Sequence, residues 1–265
     1  MIPSKRCSSV KILRPDSACV SKVYPSPNHG ERKDGKKPNS LVMHYTGMID
    51  AAAALHQLCN PTAEVSSHYL VFEDGRILQL VPETRRAWHA GSGCWQGERD
   101  MNSASIGIEI VNPGHDHGYG AFPEAQIAAV IALSRDIVAR WSLLPDRVIA
   151  HSDMAPQRKR DPGELFPWKQ LAEAGIGHYV KPHPVVSGRF FQRGDTGMPV
   201  EALQAMLALY GYDLPVTGIF DAMTEFVVIA FQRHFRPERV DGITDLSTLE
   251  TLRDLIGSRK DQVKL

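Results

Sequence analysis

Between Leu41 and Gly177 the chain alternates short β-type runs with longer stretches of helical spacing. LVMHYT, from Leu41 to Thr46, is apolar on both faces, as a central strand is, and the break at Gly47 puts His44 near the strand's end. Ala51 to Cys59 is Ala-rich and helix-prone, and Asn60-Pro61 stops it. SHYLVFEDGRILQLV then carries two β-type runs around Asp74-Gly75, a hairpin signal. In SIGIEIV, Ile106, Ile108 and Ile110 fall on one face and Gly107, Glu109 and Val111 on the other, so Glu109 is an acid in mid-strand. From Pro123 to Trp141 the apolar residues follow helical spacing. Arg147 to Ala150 reads as a strand delivering His151, and Pro167-Trp168 opens a helix that fades near Gly175-Ile-Gly177. This alternation predicts an α/β domain with a mixed central β-sheet flanked by helices.

The flanks differ. Residues 21–40 are rich in Pro, Gly, Ser and charge, and residues 1–37 read as an irregular lead-in to a first domain spanning 38–177. Residues 178–187, with two prolines and little periodicity, read as a linker. Past it lies an internal repeat: Val216-Thr-Gly-Ile-Phe-Asp-Ala-Met-Thr224 matches Val240-Asp-Gly-Ile-Thr-Asp-Leu-Ser-Thr248, each a glycine turn followed by an aspartate placed to cap a helix. With a preceding helix marked by Val200, Leu203, Met206, Leu207 and Tyr210 and stopped at Gly211, residues 188–258 form a small three-helix domain, and 259–265 a tail. So small a bundle is better suited to binding than to housing an enzyme site.

Composition narrows the function classes. The 265 residues are 43% apolar, and 30 basic residues balance 30 acidic ones, so no net field draws the chain to nucleic acid or an anionic membrane. The four cysteines, Cys7, Cys19, Cys59 and Cys94, are scattered and read as reduced thiols. MIPSKRCSSVKILRPDS has no apolar run behind its cations and no membrane-spanning run is present, which points to a cytoplasmic protein, with the periplasm or cell envelope as the alternative.

The candidate chemistry lies in His44, Glu109, His151, Lys159 and Asp161, which come from the ends or faces of predicted strands, where α/β sheets place their sites. By spacing alone each histidine reads equally as an interior residue, and HSDMAPQRKRDPG (residues 151–163) as a solvated charged loop. In an extended segment Lys159 and Asp161 share one side while Arg158 and Arg160 take the other. Asp153 and His68 read as structural, and His115-Asp-His117 as a solvated Gly-rich loop.

The blocks LVMHYTG, VSSHYLVFEDGRILQLV, AWHAGSG, SIGIEIVNPG, FPEAQIAAVIAL and IAHSDMAPQRKRDPGELFPW resemble, over about residues 38 to 176, the zinc-dependent N-acetylmuramoyl-L-alanine amidases of the type-2 family, whose fold is shared with peptidoglycan-recognition proteins. FQRGDTGMPVEALQAMLALYGY and the two repeats look like the three-helix peptidoglycan-binding domain of cell-wall hydrolases. The resemblance implies a bacterial enzyme holding one Zn2+ per chain at His44, His151 and Asp161. It makes Glu109 the catalytic acid and base, Lys159 the oxyanion cation, and Tyr45 and His89 cleft residues that contact sugar or peptide. Two neutral imidazoles and one carboxylate leave zinc a residual positive charge and an open position, which suits hydrolysis. The expected reaction is cleavage of the amide between N-acetylmuramic acid and L-alanine in peptidoglycan or anhydro-muropeptides, in wall recycling or remodelling. A non-catalytic peptidoglycan receptor on the same fold is the alternative, and it would be expected to lack part of this set.

Overall fold

The alternation in Ser105–Ile110 divides the first part of the molecule into two faces, one for a core and one for a cleft. The computed structural model describes residues 14–186, 188 and 190–262. In chain order its elements are β1 (Lys22–Val23), β2 (His29–Glu31), β3 (Ser40–Tyr45), α1 (Ala51–Cys59), β4 (Tyr69–Val71), β5 (Ile77–Gln79), β6 (Arg85–Ala87), α2 (Met101–Ala104), β7 (Ser105–Ile110), α3 (Glu124–Trp141), β8 (Val148–Ala150), α4 (His151–Met154), α5 (Trp168–Glu173), α6 (Met198–Tyr210), α7 (Ala222–Phe235) and α8 (Leu246–Gln262). The main sheet has the order β1-β5-β4-β7-β3-β8. β7 lies parallel to β3 and β4, β3 lies parallel to β8, and β5 is antiparallel to β4 across the Asp74-Gly75 turn, so the sheet is mixed, as expected.

In the β3–β7 register Leu41 faces Ile106 and Met43 faces Ile108, while Val42 faces Gly107 and His44 faces Glu109. The first set packs with Ile127, Val130, Leu133 and Ile137 of α3 in one buried cluster. Period-two geometry therefore sends His44 and Glu109 to the opposite face, side by side at the carboxyl ends of parallel strands.

The lead-in is more ordered than its sequence suggests. Two pieces of the segment read as irregular are strands: β1 pairs with β5, and β2 with β6 in a separate ladder. Strands of two or three residues are too short to show a period-two signal, and it is their backbone pairing that makes them strands. Arg32, just past β2, is buried and donates to the carbonyls of Glu83, Ser103 and Ser105, tying this segment to the start of β7. Cys7 lies outside the described residues. Cys19, Cys59 and Cys94 are free thiols.

In the helical unit both repeats work as expected, with Asp221 accepting from Thr224 N at 2.9 Å and Asp245 from Thr248 N at 2.8 Å. Each repeat also uses a buried glutamine on the preceding helix. Gln204 Oε1 accepts from Thr217 N and Gly218 N, and Gln232 Oε1 accepts from Asp241 N and Gly242 N. Residues 178–186 carry no regular structure but are held, His178 by Tyr210 Oη and Ser258 Oγ and His183 by Asp254. The unit then packs on the sheet domain through one shared apolar cluster, in which Val42, Trp95, Ile149 and Met154 meet Leu207, Tyr212, Val227 and Phe231.

Because each glutamine satisfies two backbone donors, Gln204→Ala and Gln232→Ala should each lower the unfolding free energy by about 2 kcal/mol. Urea denaturation followed by tryptophan fluorescence checks this, and an unchanged midpoint would deny the glutamines that role.

Candidate metal centre and active-site cleft

A cleft of about 460 Å³ opens at the carboxyl ends of β3, β7 and β8, and Tyr45, His89, Glu109, His151, Lys159 and Asp161 all line it. His44, 1% exposed, sits beneath its floor. Its Nδ1 lies 2.9 Å from His151 Nδ1 and 3.0 Å from Asp161 Oδ2, and the last two atoms are 2.9 Å apart. All seven residues singled out in the sequence therefore gather in one place.

The outer nitrogens of both imidazoles are committed as donors. His151 Nε2 lies 2.9 Å from the Ala90 carbonyl, which can only accept. Ser105 Oγ donates to the Met101 carbonyl, so it accepts from His89 Nε2; His89 Nδ1 then accepts from His44 Nε2 at 2.9 Å. In the neutral rings this leaves the Nδ1 lone pairs of His44 and His151 aimed at the Asp161 carboxylate. Three lone-pair donors converging within 3.0 Å fit a divalent cation, and a tetrahedral ion with arms of about 2.0–2.1 Å spaces its ligands by roughly 3.3 Å. Among the described residues no other group of three His, Cys, Asp or Glu side chains converges in this way.

The electrostatics suit a cation as well. Burial, then the neighbouring His151, pushes the His44 imidazole down to about 4, and burial drives His89 well below its ordinary value. Burial would raise Asp161, but its charge interactions and hydrogen bonds with His151 and His44 outweigh burial and hold it far below the carboxylate range. Glu109 behaves oppositely. Burial, reinforced by Asp161 and opposed by Lys159, raises its carboxyl well above the usual range, and no protein group donates to its buried Oε2. A half-buried, protonatable carboxyl beside the three donors is suited to carrying a proton.

The loop from Pro156 to Asp161 differs from the extended picture. Arg158 N and Lys159 N both donate to the Ala155 carbonyl, so the chain turns there, and Arg158, Lys159, Arg160 and Asp161 all border the cleft. Arg158 does not point away: its guanidinium clasps the carbonyls of Ala90 and Ser92. Arg160 pairs with Asp116 on the surface.

His115 is likewise not a solvated loop residue. Its Nδ1 lies 3.0 Å from Tyr45 Oη, its Nε2 lies 3.2 Å from Glu164, and its ring stacks on Tyr119, so it props the cleft wall. His68 is structural as expected, with Nδ1 accepting from Gly107 N. Sequence reasoning missed Ser105 and Gly107. A Cβ at Gly107 would lie 2.5 Å from the His89 ring, so glycine there is what lets His89 reach His44. A glycine and a serine in a strand carry no signal of that duty.

Comparison with known proteins identifies the family. Residues 34–164 match the N-acetylmuramoyl-L-alanine amidase family, and residues 196–252 match a peptidoglycan binding domain. The chain is 42% identical over 223 residues to the N-acetylmuramoyl-L-alanine amidase AmiD of Escherichia coli K12, covering 78% of each protein. The structure of AmiD from E. coli with the substrate anhydro-N-acetylmuramic acid-L-Ala-D-gamma-Glu-L-Lys superposes with a TM-score of 0.72 at 39% identity, over 83% of this chain and 89% of that one. AmpDh3 from Pseudomonas aeruginosa in complex with anhydromuramic pentapeptide gives 0.70 at 33% identity, over 86% and 94%. Among the described residues no helix is long and apolar enough to cross a membrane. The likeness to AmiD extends across both the sheet domain and the helical unit, and the chain belongs to the N-acetylmuramoyl-L-alanine amidase family, hydrolases that cleave the amide between N-acetylmuramic acid and L-alanine.

Proposed function

We propose that His44, His151 and Asp161 hold one zinc ion, and that Glu109 and Lys159 do the protein's share of the amide hydrolysis. The observation that carries this is the convergence of the three donors beside Glu109 in one cleft. Zinc bound there would supply Lewis-acid chemistry, lowering the pKa of water to about 7 and polarising the amide carbonyl. Glu109 takes the proton of the attacking water on its carboxylate and returns it to the departing amine of L-alanine. Lys159 places its ammonium against the oxygen that becomes negative as the tetrahedral intermediate forms. Tyr45, braced by His115, and His89 face the muramoyl group or the first peptide residues.

The substrate class is taken from the relatives' ligands. A γ-linked D-glutamate, as in the ligand of the AmiD complex, leaves a free α-carboxylate in the stem peptide, and Arg158 and Arg160, paired with Ala90, Ser92 and Asp116, bear on it only through their field at the cleft's rim. Anhydro-muropeptides, the ligands in the AmiD and AmpDh3 complexes, are the substrates we assign. We divide the chain into a catalytic domain at 38–177, a connector at 178–187 and a peptidoglycan-binding domain at 188–258. A unit that binds polymer supports work in the cell envelope, where the polymer lies, over the cytoplasm.

Mass spectrometry of products from a soluble anhydro-muropeptide and from sacculi tests the reading. Stem peptides beginning at L-alanine should appear with zinc, vanish with chelator, and fall about 10³-fold with Glu109→Ala. Release independent of zinc and of Glu109 would refute it. Lys159→Ala should lower kcat about 10²-fold with KM little changed, because its target charge exists only in the transition state.

The raised Glu109 pKa also makes a stability prediction. Its contribution is fully present below the unfolded value near 4.5 and is lost as pH rises toward the folded value. Metal-free Glu109→Gln, which carries no such loss, should gain in Tm over wild type as pH rises from about 4.5 to neutrality. Parallel melting curves for the two proteins would show that Glu109 is not strained.

A further inference from the structure

His151 is the first residue of α4, and Asp153, two residues on and 1% exposed, has three partners. Asp153 Oδ2 accepts from Ala150 N at 2.7 Å, closing the bend where the chain leaves β8 and enters the turn that carries His151. The other two partners belong to the helical unit: Tyr212 Oη donates to Oδ1 at 2.9 Å, and His234 Nδ1 donates to Oδ2 at 2.6 Å. Tyr212 and His234 are each 3% exposed. The His234 ring is also sandwiched, 3.7 Å from Trp168 of the sheet domain and 3.8 Å from Phe235 of its own helix. The same short helix reaches the third proposed ligand, since Ser152 N donates to the Asp161 carbonyl at 3.0 Å.

We infer that the helical unit is a positioning element of the metal centre, with Tyr212 and His234 fixing Asp153 and thereby the direction of the His151 side chain. This rests on the assignment of His151 as a metal ligand and goes beyond a wall-binding role for that unit. A buried carboxyl with three donors has one orientation. Without the two from the helical unit Oδ1 is buried and unpaired and Oδ2 keeps only Ala150 N, a state relieved by rotating the Asp153 side chain, and α4 with it, toward solvent. His151 and the backbone that ties down Asp161 move with that rotation. Groups that orient metal ligands from outside the coordination sphere typically change affinity 10–100-fold when removed. Loading of the metal thus depends on how the helical unit is docked against α4.

The test uses the full chain as Tyr212→Phe and His234→Phe, both of which keep an aromatic ring in place. Tyr210→Phe is the control: it removes a buried hydroxyl of the same unit that bonds His178 and does not touch Asp153. Zinc affinity is measured by competition with a chromophoric chelator, and kcat/KM on a soluble anhydro-muropeptide that needs no wall binding. Tyr212→Phe and His234→Phe should each weaken zinc about 10-fold, with kcat/KM restored by excess zinc, while Tyr210→Phe leaves zinc affinity unchanged. Zinc affinities in both variants within twofold of wild type would overturn the inference. So would an equal loss in Tyr210→Phe, which would mark general loosening. A wild-type chain that takes up no zinc would instead remove the metal assignment itself, and this inference with it.

Discussion

Two imidazole lone pairs and a carboxylate oxygen are held within 3.0 Å of one another, and their outer partners leave no proton to share among them. Left to themselves they repel, so the surrounding structure must hold them together and a cation must make the arrangement favourable. Much of the molecule serves this constraint. The Ala90 carbonyl fixes His151, the His89 and Ser105 relay fixes His44, and Arg158 secures the carbonyls of Ala90 and Ser92. Even the lead-in contributes, through the Arg32 guanidinium on the Ser105 carbonyl.

The parallel pairing of β3 and β7 supplies the register that makes this possible. Because β3 and β7 run the same way with His44 opposite Glu109, the ligand and the acid are neighbours without any loop having to place them. The isoleucine row on the other face anchors that register against α3, since a slip of one residue would carry Glu109 into the core and Ile108 into the cleft. A small change in strand pairing would therefore cost the chemistry and the core together.

Legibility in the sequence followed the length of the periodic signal. The alternation in SIGIEIV and the helical spacing to Trp141 identified their elements, and strand-end position identified His44 and His151 as candidates. The resemblance of ordered blocks assigned their roles, which spacing alone had left open. What escaped was made by contact between distant segments. Ser105, Gly107 and the bracing of Tyr45 by His115 depend on neighbours sixteen to seventy residues away. β1 and β2 are strands only through their partners. The link from Tyr212 and His234 to Asp153 spans 59 and 81 residues, and neither end carries a motif. The helical unit read as a separate binding domain because its caps are local, whereas its docking surface is not.

As proposed, the three donors enclose one zinc ion through both Nδ1 atoms. X-ray absorption at the zinc edge on the full chain tests it most directly. One zinc per chain is expected, with two imidazole nitrogens and a carboxylate oxygen at about 2.0–2.1 Å, lost together in His44→Ala. Zinc bound equally well by His44→Ala, or a first shell without histidine nitrogens, would contradict it.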